Sequence, residues 1–225
     1  MLNFIFFLLM LILLFPLMHY NITPTGYYEE IFKTLCSICF VCCSFFSFRK
    51  CPTNKKYFSL MFIGLIFCLF GDIFLSFPGE TVFISGVGSF AIGHIFFILG
   101  FIYLTSISLK DLIMYFILIT LAVSFITSKS GFHFQGMLPL VLIYTSIILF
   151  MLTKSFSLLK LRKGNKLGTY LTISGTTLFF ISDFILLFVI YYTECPHIFS
   201  AINLFVYYIG QGLLSLSFIG DFKSK

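Results

Sequence analysis

Eight stretches of mostly apolar residues, separated by short polar breaks, run the length of this 225-residue chain. A helix needs about 20 apolar residues to cross the hydrocarbon of a bilayer. Within that medium only helices and closed barrels satisfy their own backbone hydrogen bonds. The pattern therefore predicts an all-α, polytopic integral membrane protein with eight transmembrane helices, over residues 2–18, 31–48, 57–77, 83–107, 112–127, 136–153, 169–192 and 200–220. Only 10% of the residues are charged and 60% are hydrophobic, against about 25% charged in a soluble domain. Such a chain cannot cover a water-facing surface of ordinary size, which excludes a soluble enzyme, a large extramembrane domain and a nucleic-acid binder. No break is long enough to hold a second domain, so residues 1–225 are read as one transmembrane domain. Met1–Leu17 lacks a basic leader and a small-residue cleavage site, so it is expected to remain as a helix rather than act as a signal peptide.

Charge gives the orientation, because cytoplasmic loops collect Lys and Arg. With eight spans, one side receives Arg49, Lys50, Lys55, Lys56, Lys110, Lys154, Lys160, Arg162, Lys163, Lys166, Lys223 and Lys225. The other receives Lys129 in a loop, with Lys33 just inside the second helix. Both termini are therefore expected to face the cytoplasm.

Two segments resemble each other. Gly64 precedes Asp72 by eight residues, and Gly175 precedes Asp183 by the same number. Farther on, Ile92-Gly93-His94 parallels Ile209-Gly210-Gln211. Helices three and four thus look like helices seven and eight. Four helices separate the copies, so the halves 1–110 and 111–225 are expected to form a parallel repeat about an axis along the membrane normal, not an inverted one.

Asp72 and Asp183 are the acids expected well inside spans. An ionisable group there is costly, and such residues usually face a cavity or one another and mark a function. At the helical rise, Asp72 is expected roughly 9 Å and Asp183 roughly 14 Å from the ends of their helices. By the same rise, His94 and Gln211 enter from that side to a depth of roughly 16–18 Å. Two buried carboxyls close together do not readily both ionise. One protonated and one ionised make an acid and a stabilising base that work without metal, a pairing suited to oxocarbenium-like chemistry. A proton relay in a transporter can use the same pair, and a polar knot between helices remains the plain structural alternative.

Other signals are weaker. Of the histidines only His94 falls within a span, so a zinc site wanting three converging ligands is not expected, and no cofactor is implied. Cys36, Cys39, Cys42 and Cys43 share one apolar stretch and are read as packing residues. Lys33 is expected either to snorkel to the interface or to offer a point charge to a lipid phosphate. Tyr144, Tyr207 and Tyr208 are candidate hydrogen-bond donors within spans.

Taken together, these residues resemble the YhhN-like lysoplasmalogenase family of polytopic membrane proteins. The resemblance rests on Leu69-Phe-Gly-Asp72-Ile-Phe-Leu-Ser76, Phe83-Ile-Ser-Gly86 and Phe90-Ala-Ile-Gly-His94. It continues in Gly175 through Ser182-Asp183 and in Tyr207-Tyr208-Ile-Gly-Gln211. Lys33 sits where the family usually has Lys-Pro, with Thr34 replacing the Pro, and Gly93 stands where Ala commonly precedes the His. The resemblance implies hydrolysis of the vinyl-ether bond of lysoplasmalogen, giving a fatty aldehyde and glycerophosphoethanolamine or glycerophosphocholine. It implies Asp72 and Asp183 as the catalytic pair, one the acid and the other the base, in either order, with Lys33, His94, Tyr144, Tyr207, Tyr208 and Gln211 binding or supporting. The implied partners are a lysophospholipid substrate and the bilayer, that of a bacterial inner membrane or a eukaryotic endoplasmic reticulum or plasma membrane. A proton-coupled transporter or lipid-handling protein, and a lysophospholipid hydrolase of the same fold, stay open beside it.

Overall fold

A computed structural model describes residues 1–50 and 54–219. Lys223 and Lys225 of the charge argument, and the last residue of the expected eighth helix, lie outside them. Among the described residues, eight helices are long and apolar enough to cross a membrane: α1 Leu2–Ile22, α2 Tyr28–Lys50, α3 Lys55–Phe74, α4 Glu80–Leu104, α5 Leu109–Ser128, α6 Leu138–Phe156, α7 Lys166–Tyr191 and α8 Ile198–Leu216. Short 3-10 turns extend α6 over Ser157–Leu161 and α8 over Ser217–Ile219. No strand occurs among these residues, and one backbone bridge pairs Phe132 with Tyr192. The chain is an all-α, multi-pass integral membrane protein.

Local chemistry moves several helix ends from their expected places. The third helix stops at Phe74 instead of residue 77, because Pro78 cannot continue it and Gly79 takes φ 128. The Ser76 and Phe77 amides close a tight turn onto the Ile73 and Phe74 carbonyls instead. α4 then starts at Glu80 rather than 83. α1 runs on to Ile22, carrying Pro16 within it. Asn54 and Asn165 cap α3 and α7 by accepting hydrogen bonds from the Tyr57 and Gly168 amides.

α8 lies in the interior, with Leu204, Tyr207, Tyr208, Gln211 and Leu214 all buried, whereas α5 buries only Asp111 and Ile126. Two helix pairs pack backbone to backbone. A Cβ on Gly64 would come 2.9 Å from the Gly93 carbonyl oxygen, and one on Gly175 would come 2.8 Å from that of Gly210. Glycine is needed at these crossings because the opposing atoms are main chain and cannot turn aside. Gly175→Ala is therefore expected to cost about 1–3 kcal/mol by overpacking, seen as a lower melting temperature in detergent.

The basic end of the bundle holds a buried ion pair absent from the sequence expectation. Lys154, counted above among the basic residues just past the expected sixth helix, lies inside α6 and is fully buried. Its Nζ donates to Asp111 Oδ2 at 3.0 Å, to Thr105 Oγ1 at 3.1 Å and to the Ser106 carbonyl at 2.9 Å. Asp111 also accepts from Ser157 Oγ at 2.6 Å and from both the amide and hydroxyl of Ser108. Asp111 thereby caps α5 and ties it to α6. Asp111 is thus a third buried acid, held in the first turn of α5.

Candidate functional site

Asp72 sits two residues from the end of α3, roughly 3 Å by helical rise. That is shallower than expected because the helix stops early. Its carboxyl is buried all the same, since α8 covers it. Tyr207 OH donates to Asp72 Oδ2 at 2.8 Å, and Ser37 Oγ donates to the same oxygen at 2.6 Å. Lys33 and Ser37 are one helical turn apart on α2, and the ammonium of Lys33 is within electrostatic reach of Asp72. The Lys33 carbonyl accepts from Tyr208 OH at 2.9 Å, and Tyr208 OH lies 3.1 Å from Ser37 Oγ. Each hydroxyl has one proton to give. Tyr207 and Ser37 direct theirs to the carboxylate, and Tyr208 completes the ring on the backbone.

The glycine before Asp72 has a packing reason. A Cβ on Gly71 would lie 2.7 Å from the ring of Phe90, so the missing side chain admits that ring beside the carboxyl-bearing turn. Phe90 in turn faces Tyr207 at 5.9 Å and Phe179 at 6.1 Å between ring centroids.

Asp183 lies on α7, eight residues from its end, roughly 12 Å by helical rise. Tyr144 of α6 donates to its Oδ2 at 2.6 Å. The rest of the carboxyl borders a chamber of about 320 Å³ between α4, α5, α6 and α7. Tyr144 also packs on His94, 5.4 Å between centroids, and His94 meets Phe179 edge-on at 4.7 Å. Phe179 touches Tyr207 at 5.2 Å. A continuous set of contacts thus leads from Asp72 through Tyr207, Phe179, His94 and Tyr144 to Asp183.

His94 and Gln211 hold positions related by the Gly93 and Gly210 crossings, and both are fully buried. Neither ring nitrogen of His94 has a hydrogen-bond partner among the described residues. Gln211 has the Cys68 thiol beside it and no nitrogen or oxygen partner at either amide atom. A polar knot in which His94 and an aspartate satisfy each other, the plain structural alternative, does not form among the described residues, since the carboxyl partners are Tyr207, Ser37 and Tyr144. A buried polar group left unpaired costs about 1–3 kcal/mol, so an imidazole and an amide held this way are suited to a polar ligand.

The structure brings Lys33, Asp72, Tyr207 and Tyr208 into one cluster and His94, Tyr144 and Asp183 into a second, joined through Phe179. Ser37 was missed, although its spacing of four from Lys33 on one helix face was a usable signal. Phe90 and Phe179 were missed because 34 phenylalanines leave no contrast. Asn203, whose amide donates to the Ser182 carbonyl beside Asp183, carried no signal either. Cys36, Cys39 and Cys43 are buried along α2. Among the described residues no group of three His, Cys, Asp or Glu side chains is arranged to hold a metal ion.

Fold and site together define a polytopic membrane protein that carries two carboxyls inside its helix bundle, each oriented by a tyrosine hydroxyl. The chain belongs to the YhhN family, whose model matches residues 28–218 and so takes in every residue of both clusters. No curated protein and no solved structure matches it.

Proposed function

We propose that the protein hydrolyses the vinyl-ether bond of lysoplasmalogens without a metal or cofactor, releasing a fatty aldehyde and a glycerophospho-base. The observation that carries the reading is that Asp72 and Asp183 are linked through Tyr207, Phe179, unpartnered His94 and Tyr144, with Asp183 at the wall of an apolar chamber. Asp183 gives its proton to the alkenyl carbon beyond the ether-bearing one. Tyr144 occupies Oδ2, which leaves Oδ1 to carry that proton. The cation formed is oxocarbenium-like, and Asp72 supplies the negative charge that steadies it. Water held by His94 and Gln211 adds to the ether-bearing carbon and returns a proton to the Asp183 carboxylate. The hemiacetal then breaks its bond to the glycerol oxygen, which takes that proton from Asp183 while the hemiacetal hydroxyl gives its own back to Asp183, and aldehyde leaves. Tyr207 and Ser37 fix the Asp72 carboxylate, Tyr208 braces the Lys33 turn, and Lys33 offers its charge to the lipid phosphate.

The same proposal orients the chain with the basic end and both termini in the cytoplasm, supported by the gathering of most Lys- and Arg-bearing connections on one side, Lys129 excepted. It also treats α3–α4 and α7–α8 as copies within a parallel four-plus-four repeat, supported by the matching Gly64–Gly93 and Gly175–Gly210 contacts.

The test is to incubate purified protein with alkenyl and with acyl lysophospholipids and assay aldehyde against free fatty acid. Aldehyde from the alkenyl lipid alone is the expected result. Fatty acid from the acyl lipid would make the protein a lysophospholipid hydrolase, and neither product would leave a transporter or lipid-handling protein.

A further inference from the structure

The chamber beside Asp183 is lined by 22 residues, of which only Tyr144, Thr145, Asp183 and Tyr191 are polar. On α7 the lining runs from Phe180 to Tyr191, roughly 16 Å at helical rise. The space is thus elongated, and its volume of about 320 Å³ is near the lower end of the range of about 300–1,000 Å³ for ligand sites. A space of that size and shape suits a hydrocarbon chain. Apolar cavities of this kind do not hold water, and within a bilayer the apolar groups at hand are lipid chains.

The chamber opens sideways. Leu121, Phe184 and Ile190 line it and are 62%, 44% and 41% exposed, so the chamber is not closed off at their positions. These residues mark a gap between α5 and α7. α5 is fastened to α6 by Tyr115 OH on Ser146 Oγ at 2.7 Å and by the Asp111–Lys154 pair. Toward α7 it makes ring contacts, Phe125 on Phe184 at 5.8 Å and on Phe188 at 6.2 Å. At the end of the gap the Lys129 ammonium sits 5.4–5.6 Å from the rings of Phe125, Phe188 and Tyr192, a cation–π clasp.

We propose that this chamber is the binding site for the hydrocarbon chain of a single-chain ether lipid, admitted laterally from the bilayer between α5 and α7, with Ala122 keeping the passage wide enough. The proposal rests on the reading of Asp183 as the group that meets the ether bond. It assigns Ala122 a part in specificity, because a larger side chain there fills the space the chain occupies.

The chain contains no tryptophan, so an introduced one is a sole reporter. Leu121→Trp places an indole at the gap, and Ile117→Trp places one on an exposed face of α5 that does not line the chamber. The probe is an alkyl lysophosphocholine with a nitroxide on its chain, which a vinyl-ether hydrolase cannot cleave. Saturable quenching of the Leu121→Trp protein, displaced by unlabelled alkyl lysolipid, is expected, with only unsaturable quenching of the Ile117→Trp protein. Adding Ala122→Phe to Leu121→Trp is expected to weaken the saturable component about tenfold, roughly the loss of one or two methylenes of burial. If that double variant does not fold, Ala122→Leu takes its place. Unsaturable quenching of both indoles, or saturable quenching unchanged by the larger residue, would overturn the proposal. Because the probe is not cleaved, saturable binding in a protein that never releases aldehyde would keep the chamber and remove the hydrolase. Aldehyde release without saturable binding would do the reverse.

Discussion

Asp183→Asn protein, folded in detergent, is expected to release aldehyde from lysoplasmalogen at least about a hundred-fold more slowly than the unsubstituted protein. A positioned general acid contributes about 10²–10⁴-fold, and asparagine keeps the size and the acceptor for Tyr144 but has no carboxyl proton to give. Asp72→Asn is expected to fall by a comparable factor for a different reason, since it removes the charge opposite the developing cation while Tyr207 and Ser37 still have an oxygen to donate to. Both variants should elute and melt as the unsubstituted protein does, because each keeps the volume and acceptor oxygen of the residue it replaces. Undiminished aldehyde release from the two asparagine variants would rule out the acid–base mechanism while leaving the fold untouched.

The second large effect is on stability. Lys154→Met leaves Asp111 buried without its cation, and breaking a buried pair from one side costs about 3–5 kcal/mol. A melting temperature well below that of the unsubstituted protein is expected for Lys154→Met. Replacing both partners with apolar residues, as in Lys154→Met with Asp111→Leu, is expected to recover most of the loss, because no uncompensated charge remains. The remainder reflects the Ser108 cap on α5 that Asp111 also forms. If the single variant melted with the unsubstituted protein, the pair would contribute nothing to holding α5 against α6.

The helix count was legible in the sequence because the membrane imposes it: a run of about 20 apolar residues between polar breaks has few other outcomes. Helix ends were less legible where turn chemistry decides them, as at Pro78–Gly79, which stop α3 at Phe74 and lift Asp72 toward the helix end. Asp72 and Asp183 stood out because acids are rare in this chain, eight in all. Their immediate partners were read in part. Tyr207 and Tyr144 were picked as donors, but which carboxyl each serves depends on how α8 and α6 rotate, and one chain of Phe, Leu and Ile carries little information on rotation. Lys154 was misplaced for a related reason. A lysine beside other basic residues looks like a loop, and its partner Asp111 lies 43 positions away.

The backbone contacts at Gly64–Gly93 and Gly175–Gly210 have a mechanical consequence. They make α3–α4 and α7–α8 two stiff units, each bringing one aspartate and one of His94 or Gln211. Across their shared boundary lie rings, Phe90 and His94 on one side and Phe179 and Tyr207 on the other, with the Tyr207–Asp72 hydrogen bond beside them. The separation of the two acids therefore includes the thickness of an aromatic layer as well as their different positions along α3 and α7. Thinning one ring in that layer is expected to change the reach from acid to base.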